Sequence, residues 1–328
     1  MEIAHAYLNG NADAVEFCPH EPFLNILAAA TYTLKEGDKP SRSGSIYIFN
    51  VDRETQKLEQ LCCHSTAGVL DIKWNPRVPL LGIACADGYI RLNQLDSPSP
   101  NAIPDSPIKE LAAESMTNSL CLCVDWSASG KSVVAGTSEG RVSLASVSES
   151  GLVKTQEWKA HDYEVWGVAY DPHQEDCIYT CSDDCRFICW DTRETPPAVG
   201  FESSKEHRMG VCCAAKSPHD GNKVVTGSYD ENVRVWDVRS MRRPVVEERV
   251  GLGGGVWKVK HHPVHTGVIA AACMHNGFAF VKMGEILETY KDHDSLCYGV
   301  DWHRTDSFVA TCSFYDRLLR VWTPNFKI

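Results

Sequence analysis

The sequence predicts an all-β fold, a seven-bladed β-propeller, on three observations: an internal period, an alternating segment opening each repeat, and a last repeat short of one strand. The period is near 45 residues: counted from Phe49 to Leu92, Leu144, Trp190, Trp236, Phe280 and Trp322, the spacings are 43, 52, 46, 46, 44 and 42, the length of a four-stranded blade. The openings read AVEF (14–17), VLDIKW (69–74), CLCVDW (121–126), VWGVAY (165–170), VCCAA (211–215), VWKVK (256–260) and YGVDW (298–302). Their period-two alternation marks strands. Only six residues follow Trp322, too few for an outermost strand. The segment around His5 to Leu8 is expected to supply it in the last blade, so that the two chain ends close the ring and leave no free sheet edge.

The two clearest repeats are YTCSDDCRFICWD (179–191) and VTGSYDENVRVWD (225–237), each a strand, a tight polar turn and a strand ending on Trp-Asp. They resemble the WD-repeat family. Four antiparallel strands cannot bury both faces alone, so such blades stack around a central channel. His161, His207 and His293 each lie 29 residues before Trp190, Trp236 and Trp322, and that constant offset reads as structure rather than catalysis. The resemblance implies a hydrogen-bonded set of His, Ser or Thr, turn Asp and Trp. Its members here are Asp184, Asp230 and Asp316 with Thr180, Thr226 and Thr311 or the neighbouring serines.

Composition fits one domain spanning residues 1–328, with 43% apolar residues and enough chain for a core without metal or disulfide staples. No apolar run reaches transmembrane length, and MEIAHAYLNG (1–10) lacks the basic start and apolar stretch of a signal peptide. A cytoplasmic protein with no membrane insertion is the expectation. In that reducing setting the fifteen cysteines read as small buried apolar residues. Cys177, Cys181, Cys185 and Cys189 span a strand, a turn and a returning strand, so their side chains are expected to diverge. No C-x-x-C pair exists, and no metal is expected. A net charge of −11 argues against nucleic acid; it suits a basic protein partner or a plain solvated surface. EGDKPSRSGS (35–44) and DSPSPNAIPDSP (96–107) read as exposed loops.

Candidate functional residues are sought where the repeat is broken. GTSEG (136–140) matches a hydrolase nucleophile pattern, but that elbow needs a strand-to-helix turn under a parallel sheet. Here Ser138 is read in the hairpin slot of Ser182 and Ser228. The sixth blade departs most. It carries GLGGGVWKVK (251–260) where its neighbours have a His, and CMHNGF (273–278) where they have Ser-x-Asp. The glycines Gly253, Gly254 and Gly255 either offer backbone amides to an anion or form a plain flexible loop. His275 has no role set by the repeat, and Asp294 and Ser295 sit on the adjacent blade, so a base, an orienting carboxylate and a nucleophile share one neighbourhood. Trp257, Tyr163, Trp166, Tyr229 and Tyr315 are the aromatic candidates for lining the same mouth.

Beyond the repeat, AHAYLNGNADAVEFCPH (4–20), ATYTLKEGDKPSRSGS (30–45), HRMGVCC (207–213), GGVWKVKHHP (254–263), AACMHNGF (271–278), HDSLCYGVDW (293–302) and ATCSFYDRLLRVW (310–322) resemble the WD-repeat diphthine methylesterase family. The resemblance covers both ends and most of the last three blades; residues 58–150 carry it less distinctly. It implies hydrolysis of the methyl ester on the modified histidine of translation elongation factor 2, a step of diphthamide biosynthesis that needs no cofactor. The substrate's trimethylammonium group would favour aromatic faces and carboxylates. The residues themselves suggest His275 as base, Ser295 or a water as nucleophile, Asp294 as orienting or cation-binding carboxylate, and the amides near Gly254 and Gly255 as oxyanion donors. The competing class is a non-catalytic scaffold, for instance a ubiquitin-ligase adaptor docking through the W-D-x-R boxes at Trp190 to Arg193 and Trp236 to Arg239.

Overall fold

The computed structural model describes residues 1–37, 40–96, 107–149, 151–240 and 243–326. Among them are seven antiparallel four-stranded sheets, arranged as the blades of a propeller. The innermost strands are Asn11–Phe17, Val69–Trp74, Cys121–Trp126, Val165–Asp171, Val211–Lys216, Lys258–His261 and Cys297–Trp302, matching the alternating segments. In six blades the strands follow one another outward along the chain. The seventh is completed by Glu2–Tyr7, which pairs with Leu318–Trp322. The N-terminal ammonium also donates to Thr323 O at 2.7 Å.

Apolar side chains meet between blades rather than inside them, as stacked sheets require. Between the third and fourth blades, Val134, Leu144 and Trp158 pack with Val168, Ile178 and Trp190. Between the seventh and first, Phe308, Ala310 and Val321 pack with Phe17, Leu27 and Phe49.

Register corrects three positions in the sequence period. Phe49, Trp190, Trp236 and Trp322 pair with equivalent residues, but the matching partners in the second, third and sixth blades are Asn93, Ala145 and Val281. Leu92, Leu144 and Phe280 stand one residue earlier. An irregularity in the pairing of the third and outermost strands falls immediately before this position in each of the first six blades, which simple alternation cannot register. The 35–44 segment is likewise more strand than loop. Thr33, Leu34 and Lys35 pair with Ser43, Arg42 and Ser41, prolonging the hairpin, while 38–39 lie outside the described residues. Of the second expected loop, 97–106 lie outside them too; its flanks meet through Asp96 N–H to Pro107 O at 2.9 Å.

Carboxylates on the innermost strands tie blade to blade. Asp301 accepts the Phe17 amide at 2.9 Å, Glu16 that of Trp74 at 2.7 Å, Asp71 that of Val124 at 3.2 Å and Asp125 that of Tyr170 at 2.8 Å. Lysines balance them: Lys258 lies 2.7 Å from Asp71, and Lys260 2.9 Å from Glu16. Burial would raise the Glu16 carboxyl, but Lys260, Lys73 and Arg304 outweigh it and hold it down to about 2. Asp71, Lys73, Asp125, Lys258, Lys260 and Asp301 line a channel cavity of about 290 Å³.

Candidate functional site

The repeat's structural set must be subtracted first, and it forms as the offsets imply. In the fourth blade Thr180 Oγ1 lies 2.7 Å from His161 and accepts the Trp190 indole N–H at 2.9 Å, while His161 Nδ1 faces Asp184 at 3.0 Å. In the fifth, His207, Thr226 and Trp236 join in the same way, but Asp230 binds Arg234 at 2.6 Å instead. In the seventh, Ser313 stands between His293 and Asp316, at 2.5 and 2.6 Å. Burial pushes His207 down to about 3 and His293 to about 4, so both imidazoles are neutral.

The sixth blade has lost this set. By register, Leu252 takes the place of His161, Ala271 that of Thr180, Val281 that of Trp190, and His275 that of Asp184. His275 is exposed and has no hydrogen bond or ring contact among the described residues. Its loop is held to the next blade by an isolated bridge between Met274 and Cys297, with Cys297 N–H donating to Met274 O at 3.1 Å. His275 and Ser295 therefore stand on adjoining backbones. No hydrogen bond joins them among the described residues: Ser295 Oγ accepts the Tyr315 amide at 2.9 Å, and exposed Asp294 donates its own amide to Asp316 at 3.1 Å.

The triple glycine is a packing requirement as well as an opening. Gly254 and Gly255 are buried. A Cβ on Gly254 would lie 2.2 Å from Cys273 O, and one on Gly255 2.8 Å from Met274 Sδ. Their amides enter no backbone hydrogen bond among the described residues.

Inside this rim the aromatic residues form an arc. Trp166 packs on Trp257 with ring centres 5.2 Å apart, Trp257 on Tyr298 at 4.9 Å, Tyr298 on Phe314 at 5.3 Å and Phe314 on Tyr32 at 6.4 Å; Tyr229 meets Trp257 at 6.1 Å. The sequence named Trp166, Trp257 and Tyr229 of these. It missed Tyr298, Phe314 and Tyr32, although Tyr298 and Trp257 are one residue equivalent in CYG (297–299) and VWK (256–258). Tyr163 and Tyr315 are exposed; Tyr315 packs edge-on to Phe314 at 5.0 Å, and Tyr163 has no ring contact among the described residues.

The geometry also places three further groups of residues. Ser138 is not in the slot of Ser182 and Ser228, which Thr137 fills opposite Cys121; Ser138 stands one residue on, 2.5 Å from Ser119. Cys177 and Cys189 converge rather than diverge, with sulfurs 3.1 Å apart, because diagonal positions on paired strands face the same side. Most of the fifteen cysteines are buried. Arg193 and Arg239 fold back onto Asp191 and Asp237, at 2.9 and 2.8 Å.

Seven radial sheets, three of them tied by His–Thr–Trp sets, opening on an aromatic mouth, define a WD-repeat propeller. The family model described as "WD domain, G-beta repeat" matches residues 152–191, 202–237 and 284–323. Diphthine methyltransferase of Mus musculus is 37% identical over 89% of this chain and 67% of its own length, and the diphthine methyltransferase homolog of Dictyostelium discoideum 31% identical over 97% and 98%. The chain belongs to the diphthine methyltransferase family. A chain in a crystal structure of the mitotic checkpoint complex matches at a TM-score of 0.76 over 98% of this chain and 90% of that one, with 16% identity; it shares the fold.

Proposed function

We propose that the protein hydrolyses the methyl ester of methylated diphthine on translation elongation factor 2, releasing diphthine and methanol. Family membership ties the chain to diphthamide biosynthesis, and the site supports this step within it. The observation that carries the reading is the sixth blade: stripped of its structural set, it leaves His275 exposed at the rim of an aromatic mouth, beside two buried amides without backbone partners among the described residues. A protruding modified side chain fits such a mouth while the rim holds the protein that bears it. The cytoplasm is the proposed location, where the elongation factor works.

His275 takes a proton from water, whose oxygen adds to the ester carbonyl. The oxyanion is met by the amides of Gly254 and Gly255. The intermediate collapses to the carboxylic acid as methanol leaves with the proton that His275 carried, and the acid then gives its own proton to solvent to become the carboxylate. Water rather than Ser295 is favoured as nucleophile, because no bond links Ser295 to His275. Asp294 adds negative charge at the rim facing the substrate's cation.

The test is to incubate the protein with elongation factor 2 carrying the methylated intermediate and follow the modified peptide by mass spectrometry. Loss of one methylene mass with methanol release is expected. A gain of that mass, with a methyl donor present, would make the protein a transferase, and an unchanged peptide would leave a scaffold. Full turnover in all of His275→Ala, Asp294→Ala and Ser295→Ala would displace the site.

A further inference from the structure

Aligning the seven innermost strands by register reveals one position with a repeated device. The pairing shifts at ADA (12–14), VLD (69–71), CLC (121–123), VWG (165–167), VCC (211–213) and CYG (297–299), and VWK (256–258) occupies the same place in the sixth blade. The first residue of each triplet is fully buried. In the six shifted triplets the middle one is the extra residue of a β-bulge, which re-aims its side chain, and Trp257 precedes the paired residues of its strand. The seven middle residues form a collar at the head of the channel: Asp13, Leu70, Leu122, Trp166, Cys212, Trp257 and Tyr298. Small Cys212, between the blades of Trp166 and Trp257, lets those two rings meet.

Asp13 is the one carboxyl of this collar. It is 6% exposed, lines a cavity with Asp71, Trp257, Lys258 and Tyr298, and has no hydrogen bond or ion pair among the described residues. The channel carboxylates Glu16, Asp71, Asp125 and Asp301 each accept a neighbouring blade's amide, so Asp13 is not part of that clamp. A buried carboxyl left without a donor is costly and points to a ligand that completes it.

We propose that the collar binds an organic cation lacking N–H groups, a quaternary ammonium head, with Asp13 as its counter-charge and Trp166, Trp257 and Tyr298 as its walls. The wall chemistry excludes the alternatives. A hard metal ion requires six or more oxygen ligands, whereas the collar offers one carboxyl among rings and leucines. A primary ammonium is strongly hydrated; a methylated head is not, and aromatic faces attract it. The cavity itself is about 20 Å³, room for one water, so the head seats above it against the ring faces. The titratable groups facing Asp13 are Asp71, Lys258, Tyr298 and Cys312. Burial, helped by Asp71 and opposed by Lys258, holds the Asp13 carboxyl well above its usual range. A bound cation lowers it, so binding expels a proton and tightens as pH rises. This deepens the esterase reading and rests on it only for whose head is bound: the trimethylammonium beside the scissile ester.

The probe is choline against its neutral isostere 3,3-dimethylbutan-1-ol, titrated into the full chain by calorimetry in two buffers of different ionisation heat. Choline should bind saturably with proton release, and the isostere at least tenfold more weakly. Asp13→Asn should lower choline affinity at least tenfold and abolish proton release, and Trp257→Leu should weaken binding alone. Equal binding of the isostere, no saturable choline binding, or wild-type affinity in folded Asp13→Asn would overturn the proposal. If Asp13→Asn does not fold, proton release by the wild-type protein decides the matter. Choline binding without ester loss from the elongation factor would sink the esterase and leave the cation site standing; ester loss without choline binding would do the reverse.

Discussion

His161 is fully enclosed between Thr180 and Asp184, and its removal takes one buried partner from each and leaves a cavity. His161→Ala should cost about 1–3 kcal/mol, read as a lower urea midpoint at unchanged slope, with little effect on ester turnover. Acid should act on the same sets. His207 and His293 titrate near 3 and 4 when folded against about 6.5 when unfolded. The unfolded chain therefore binds more protons in that window, and stability, complete above about pH 6.5, falls as pH drops toward 4. His207→Gln should flatten part of that slope in pH-dependent melting; an unchanged slope would exclude His207 as a source. The three histidines were legible because their 29-residue offset to Trp is constant. Asp13 was not: a bulge inserts one residue into the alternation, and only alignment of all seven triplets exposes it.

Between neighbouring strands, the channel carboxylates act as rivets. Glu16 is 1% exposed, accepts the Trp74 amide and balances Lys73 and Lys260. Glu16→Ala takes the nearest carboxylate from Lys73 and Lys260, leaving Lys260 only Asp301 at 3.6 Å, and should destabilise by about 3–5 kcal/mol, seen in chemical denaturation; Glu16→Gln, which retains an acceptor for Trp74, should cost less. Ring and blade number were legible at this scale because apolar alternation restarts seven times. The bounds of the first blade's hairpin were not, since Lys35 and Ser41 pair despite a composition that reads as loop. The candidate site was legible as a place, the sixth blade's lost set, and not as an arrangement. His275 and Ser295 lie on adjoining backbones without a bond, and Tyr298, Phe314 and Tyr32 complete an arc of which the sequence showed only part.

The whole ring is fastened by one strand, Glu2–Tyr7, laid against Leu318–Trp322. Deleting residues 1–8 bares the edge of that sheet. The truncated chain should melt lower and self-associate in light scattering, and a peptide of residues 1–9 should reverse both by strand addition; a monomer with unchanged melting would show that closure contributes nothing. The same fastening sets the order of events at birth. Met1 and Thr323 are 322 positions apart, so joining them costs about 5 kcal/mol of chain entropy by the logarithmic loop law. At ribosomal speed the first strand waits roughly 15–65 s for its mate to be made. The blades between them stack while Glu2–Tyr7 stands unpaired, and the arrival of Leu318–Trp322 turns a stack into a ring.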